Sequence, residues 1–147
     1  MKWFFFLVAY LAGTCAAVQV GVNNSLRAAL GSSISTALVS FGVGTVVLLG
    51  FVLLARIPMP LAQAAASGPF WIWLGGVLGA TFVAASILVA ANIGAAGAMV
   101  WIIAAQLITS MLLDHYGFFG FHVREINPVR VVGALLLLAG AFMVSRY

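Results

Sequence analysis

Apolar stretches of about twenty residues, with almost no charges, fill most of this 147-residue chain. A helix needs about 20 apolar residues to cross the hydrocarbon core of a bilayer. Hydrophobic residues make up 65% of the sequence and charged residues 5%, whereas soluble domains carry about 25% charged residues. A chain of this length cannot bury so much apolar surface in a core of its own. We therefore predict an all-α integral membrane protein with lipid as its solvent.

The apolar stretches are separated by short segments that favour helix ends. Pro58 and Pro60 prevent the second stretch from continuing, Asn92-Ile93-Gly94 predicts a tight turn, and Pro128 suits the first turn of a helix. The sequence thus predicts five transmembrane helices in a single domain that covers residues 1–147. Their approximate ranges are 3–27, 32–54, 70–91, 95–114 and 128–144.

The first apolar stretch superficially resembles a signal peptide, because Lys2 precedes it and Cys15 is followed by small residues. The apolar run continues to Val22, which is long enough to span a bilayer. We interpret it as a retained helix, with a cleaved signal peptide as the alternative. Cys15 is the only cysteine, so an internal disulfide and a cysteine-based metal site are both excluded.

The charge pattern and the motifs argue against nucleic-acid binding and catalysis. The six basic residues are scattered singly, which the positive-inside rule explains better than a nucleic-acid partner does. The sequence has no P-loop, dinucleotide fingerprint, zinc-ligand spacing or Ser/His/Asp array. His115 and His122 have no partners at ligand spacing. We therefore expect no enzyme activity, no cofactor and no metal site.

One polar stripe interrupts the fourth predicted helix. Gln106, Ser110 and Asp114 are spaced i, i+4 and i+8, so they share one helix face. Lipid would leave these groups unsatisfied, and the stripe should therefore face other helices or a wet cavity. The alternative is that Asp114 and His115 only mark the point where the helix leaves the bilayer.

A second stripe, Gln19, Asn23 and Arg27, has the same spacing near the end of the first helix. It either forms the polar wall of a cavity or marks a helix end from which Arg27 extends towards the headgroups. Gln19 should still lie within the hydrocarbon, which favours the cavity. Trp101 is in the middle of the fourth helix, where its spacing is compatible with lipid contact and with a cavity wall.

Four stretches of the sequence form a recognisable set: Gln19-Val-Gly-Val-Asn-Asn24, Gly75-Gly-Val-Leu-Gly-Ala80, Gln106-x-x-x-Ser110-x-x-x-Asp114-His-Tyr-Gly117 and Gly133-Ala-Leu-Leu-Leu-Leu-Ala-Gly140. Together they resemble a known family, the YdcZ-type branch of the drug/metabolite transporter superfamily. The resemblance implies a bacterial inner-membrane protein in which two five-helix units, inverted relative to each other, form one transporter. Related small multidrug transporters couple protons through a glutamate in the first helix. This chain has no carboxylate there, so that mechanism does not carry over.

We expect a secondary transporter or permease for a small solute, working by alternating access. The predicted substrate-binding residues are the amides, the hydroxyl and the indole that interrupt the apolar helices: Gln19, Asn23, Trp101, Gln106 and Ser110. The predicted coupling or gating residues are Asp114 and Arg27. An amide-rich pocket suits a neutral or zwitterionic polar solute. A passive channel and a non-transporting accessory subunit of a membrane complex are the alternatives.

An odd number of spans would place the two termini on opposite faces of the membrane. One face would carry Lys2, Arg56, Arg124 and Arg130, and the other Arg27 and Arg146. Such a nearly balanced chain can insert in both orientations. We therefore predict an antiparallel homodimer, or pairing with a homologous subunit whose Lys and Arg distribution favours the opposite orientation. Membrane lipid and a small solute are the other predicted partners. In that dimer Arg27 of one chain would share a face with Asp114 of the other.

Overall fold

The computed structural model describes residues 2–146, and within this range every regular element is helical. The helices are α1 (Lys2–Leu30), α2 (Ser33–Leu54), α3 (Leu61–Ser67), α4 (Leu74–Tyr116) and α5 (Pro128–Arg146), with single 3-10 turns at Phe70–Trp73 and Phe118–Gly120. Four segments of the described chain are long and apolar enough to cross a membrane: Lys2–Leu30, Ser33–Leu54, Phe70–Tyr116 and Pro128–Arg146. The prediction of a helical membrane protein is confirmed.

Helix α4 joins the two segments that were predicted as separate helices at 70–91 and 95–114. It runs for 43 residues, but Gly94 inside it has φ 80° and ψ 162°, which is not helical. Only glycine adopts this region readily, because it has no Cβ. The predicted three-residue turn is therefore a break at a single residue, and the count of five spans stays a prediction.

The link between α1 and α2 is two residues long and is closed by standard capping interactions. Gly31 has φ 72°, and its N–H donates to the Arg27 carbonyl at 2.8 Å, which ends α1 in the left-handed conformation that glycine favours. Ser32 is the N-cap of α2 and accepts a hydrogen bond from the Ser35 N–H at 3.3 Å. This compact link makes the second half of α1 and the first half of α2 an antiparallel pair, and α1 ends three residues later than predicted.

Helix α2 ends in a Schellman motif. The Ile57 N–H donates to the Val52 carbonyl at 3.0 Å and the Arg56 N–H to the Leu53 carbonyl at 3.3 Å, while Arg56 takes the left-handed conformation with φ 52°. The following segment lies between the helices predicted at 32–54 and 70–91, and no helix was predicted in it. It contains the short helix α3, whose alanine-rich sequence has high helix propensity.

The chain divides into two compact units, one of residues 18–88 and one of residues 1–17 and 89–147. In the first unit, Ala37, Val83 and Ile87 form the buried core. In the described part of the second unit, the buried apolar side chains are alanines: Ala90, Ala98, Ala104 and Ala141. Small residues allow membrane helices to approach closely. Most large apolar side chains of both units are exposed, as expected for helices that contact lipid or another chain.

Candidate functional site

The first candidate site is an open groove of about 440 Å³ in the unit formed by residues 1–17 and 89–147. Its walls come from the first half of α1 and the second half of α4. The lining residues are Tyr10, Gly13, Thr14, Ala16, Ala17, Met99, Ile103 and Gln106. Glycine and alanine supply three of these eight residues, all from α1, and Gln106 lines the groove from α4.

The Gln106 side chain is exposed and makes no hydrogen bond to any residue between 2 and 146. The Thr14 hydroxyl, by contrast, donates to the Tyr10 carbonyl at 3.0 Å, so its donor is already used. An amide offers two donors and one acceptor, and a bilayer contains nothing to satisfy them. The Gln106 amide, like the Tyr10 hydroxyl in the same groove, therefore keeps its full capacity to bind a polar partner.

The other two residues predicted on this helix lie outside the walls of the groove. Ser110 is one turn beyond Gln106 and is exposed, and Trp101 is 43% exposed. Neither is among the residues that line the groove. Of the three α4 residues predicted to bind substrate, the groove thus contains Gln106 alone.

The second candidate site lies in the unit of residues 18–88, along the contact between α1 and α2. A groove of about 200 Å³ is lined by Gln19, Ser40, Phe41, Gly44, Thr45 and Leu48. One turn from Gln19, the side chain of Asn23 is buried, with 4% of the residue exposed. One turn further, the Arg27 Nε donates to the Ser33 hydroxyl at 3.2 Å. The second predicted stripe therefore does follow a helix–helix contact.

Asp114 forms an ion pair that the sequence analysis did not anticipate. Its Oδ2 lies 2.9 Å from an Nη of Arg130, and the side chains of Arg130 and Asp114 are 29% and 28% exposed. Arg130 also donates to the Arg124 carbonyl at 3.0 Å, and the Arg124 N–H donates to the Asp114 carbonyl at 2.9 Å. Asp114 thus connects the end of α4 to the loop and to the first turn of α5.

Two further hydrogen bonds tie the same loop to the helices. His115 Nδ1 accepts from the Ile126 N–H at 3.2 Å, and the Asn127 side chain accepts from the Arg130 N–H at 2.9 Å, which caps α5. Arg130 is the residue that the sequence analysis missed. The sequence did contain a signal for this pair. The chain has only two carboxylates, and Arg130 lies in the first turn of the helix that follows Asp114.

The family of the chain follows from its sequence relatives. The profile of the family described as "Putative inner membrane exporter, YdcZ" matches residues 4–143. The chain belongs to the YdcZ family. It is also 31% identical over 138 residues to the "Inner membrane protein YdcZ" of Escherichia coli (strain K12), and the match covers 89% of this chain and 90% of that protein. No solved structure matches the chain. The resemblance inferred from the four stretches is confirmed, and YdcZ proteins are of the drug/metabolite transporter type.

Proposed function

We propose that this YdcZ protein is a transporter that moves a small polar solute across the bacterial inner membrane. The family is described as an inner membrane exporter and the E. coli relative as an inner membrane protein. The observation that carries the proposal is the Gln106 amide, which enters an apolar groove of about 440 Å³ without a hydrogen-bond partner among residues 2–146. A polar group in lipid is expensive, and this makes Gln106 a candidate for the solute pathway.

The break at Gly94 supports a path with five membrane crossings. A continuous helix of 43 residues would be about 65 Å long, roughly twice the thickness of the hydrocarbon core. Division at Gly94 leaves residues 74–93 and 95–116, which are each about 30 Å long and match one bilayer crossing. The non-helical backbone angles of Gly94 would then mark the end of one crossing and the start of the next.

Five crossings would make one chain half of a transporter. Alternating access in such folds uses two units of inverted topology with the solute between them. An antiparallel homodimer, or a pair with a homologous subunit, would supply the second unit. Gln19, Asn23, Trp101, Gln106 and Ser110 are the proposed substrate-binding residues, and Asp114 and Arg27 are proposed to act in coupling or gating. The Asp114–Arg130 ion pair supports a gating role, because it joins the end of α4 to the first turn of α5.

The transport proposal is tested with Gln106→Leu and a matched control. A thermal-shift screen of the purified protein against metabolites would first identify a solute that raises the unfolding midpoint. Flux of this solute into proteoliposomes is then compared for wild type, Gln106→Leu and Gln63→Leu, which makes the same change in the short helix α3. We expect Gln106→Leu to lose flux while remaining monodisperse in detergent, and Gln63→Leu to keep it.

The same experiment separates the competing functions. Accumulation against a gradient supports a secondary transporter, whereas flux that only follows the gradient supports a channel. Binding without any flux favours an accessory subunit. If Gln106→Leu aggregates or loses its helical signal, Gln106 stabilises the fold and the proposed solute role is wrong.

The inverted pairing is tested by topology. A C-terminal tag on the full chain should be accessible from both sides of the inner membrane in about equal amounts, because the basic residues are nearly balanced. Accessibility from one side only, with no homologous subunit co-purifying, would refute the inverted pair. A tag that lies on the same side as the N-terminus would refute the odd number of crossings.

A further inference from the structure

The Arg27 guanidinium, near the end of α1, makes no ion pair with a carboxylate among residues 2–146. Residues 18–88 contain Arg27 and Arg56 but no aspartate or glutamate. The Arg27 guanidinium is partly buried and uses its Nε to bond the Ser33 hydroxyl. Its two terminal nitrogens make no hydrogen bond to residues 2–146. Four of the five N–H donors of the guanidinium therefore remain available, in the planar fork that matches a carboxylate or a phosphate.

An unpartnered amide lies one helical turn deeper. Asn23 is 4% exposed, and its side chain makes no hydrogen bond within residues 2–146. In the described chain, every fully buried side-chain nitrogen or oxygen has a partner, so the Asn23 amide must retain a narrow opening to the surface. A buried amide without a partner is costly, and a solute that reached this opening would relieve that cost.

The polar groups continue along α1 to a groove on the α2 side. Gln19 lies eight residues before Arg27 on the same face, about 12 Å along the helix axis, and lines the groove of about 200 Å³ with Ser40 and Thr45. Only two residues link α1 to α2. Residues progressively earlier in α1 therefore face residues progressively later in α2. The result is a continuous line of hydrogen-bonding groups, the α1–α2 seam, formed by Arg27, Asn23, Gln19 and Ser40.

We infer that the α1–α2 seam binds the oxyanion group of a solute, with a carboxylate or phosphate at Arg27 and the rest of the molecule along Asn23 and Gln19. The inference rests on the proposed transport function and narrows its substrate to small organic anions and zwitterions. Simple cations are disfavoured, since no carboxylate in residues 18–88 would balance their charge and Arg27 would repel them.

The test measures anion binding by the full chain in nanodiscs of phosphatidylcholine. The unfolding midpoint is recorded against increasing inorganic phosphate or sodium acetate, with tetramethylammonium chloride at the same ionic strength as the reference. We expect a saturable rise with phosphate and acetate for wild type. In Arg27→Gln the affinity should fall at least about tenfold, because hydrogen bonds to charged groups are the strong ones.

Arg56→Gln is the matched control, since Arg56 is the other arginine of residues 18–88 and is exposed. It should retain the wild-type response. If Arg27→Gln does not yield monodisperse protein, Arg27→Lys replaces it. Lysine keeps the charge but lacks the planar fork, so the affinity should again fall.

Two results would overturn the inference. One is an equal response of wild type and Arg27→Gln to the anions. The other is a midpoint that rises only when phosphatidylglycerol is added to the discs and responds to no soluble anion, which would assign Arg27 to lipid headgroups. Binding is measured without flux, so the two proposals can fail separately. An Arg27-dependent response without flux would refute transport alone, and flux of a neutral solute without an anion response would refute the anion site alone.

Discussion

The ion pair between Asp114 and Arg130 predicts a measurable energetic coupling between α4 and α5. The perturbation is a double-mutant cycle with Asp114→Asn, Arg130→Gln and the double variant. Arg130 also donates to the Arg124 carbonyl, and that bond is affected in both variants that lack the arginine. The cycle therefore cancels it and isolates the interaction between the two side chains.

The magnitude follows from the geometry of the pair. The two charged groups are 2.9 Å apart and the side chains are 28% and 29% exposed. Fully exposed pairs contribute about 0–1 kcal/mol, whereas breaking a buried pair costs about 3–5 kcal/mol. More than a quarter of each side chain still contacts the surroundings, so screening applies. We expect a coupling energy of about 1 kcal/mol, which changes the unfolding equilibrium constant about fivefold.

The assay is reversible unfolding in mixed micelles with increasing SDS, followed by far-UV circular dichroism. A cycle of Asp114→Asn with Arg146→Gln serves as the control, because the guanidinium of Arg146 lies over the ring of Phe142 and does not pair with Asp114. The control coupling should be zero within error. A coupling of Asp114 with Arg130 below about 0.3 kcal/mol would show that the pair does not hold the loop, and the gating role proposed for Asp114 would lose its structural support.

Three further predictions use the same preparations. Gly94→Ala should lower the free energy of unfolding by about 1–3 kcal/mol, because alanine does not readily adopt the backbone conformation of Gly94. The control Gly133→Ala, at a helical site with open space, should be neutral or stabilising. Equal effects of the two substitutions would contradict the break at Gly94. Ser32→Ala removes the cap that bonds the Ser35 N–H and should cost about 1 kcal/mol in SDS unfolding. Asp114→Asn should abolish uptake driven by a pH gradient but preserve solute exchange, and an unchanged pH-driven uptake would exclude Asp114 from coupling.

Much of the helical fold could be predicted because the bilayer sets the required length. About twenty apolar residues are needed per crossing, and proline ends a helix wherever its missing N–H would be needed. The start of α5 at Pro128 and the end of α2 at Leu54 follow from these rules. The short helix α3 could not be found in the same way, because seven residues are too few to show a helical period. At Gly94 the sequence indicated the position of the break, and only the backbone angles showed its form.

The sequence by itself also determined which polar residues share a helix face, since the period of 3.6 residues places i, i+4 and i+8 in line. It could not determine what each of these residues meets. Only the tertiary structure showed that Asp114 pairs with Arg130, that Gln106 enters a groove, and that Asn23 is buried. The physical reason is that helix geometry sets the direction of a side chain around its own axis, whereas the neighbour found in that direction depends on how the helices pack.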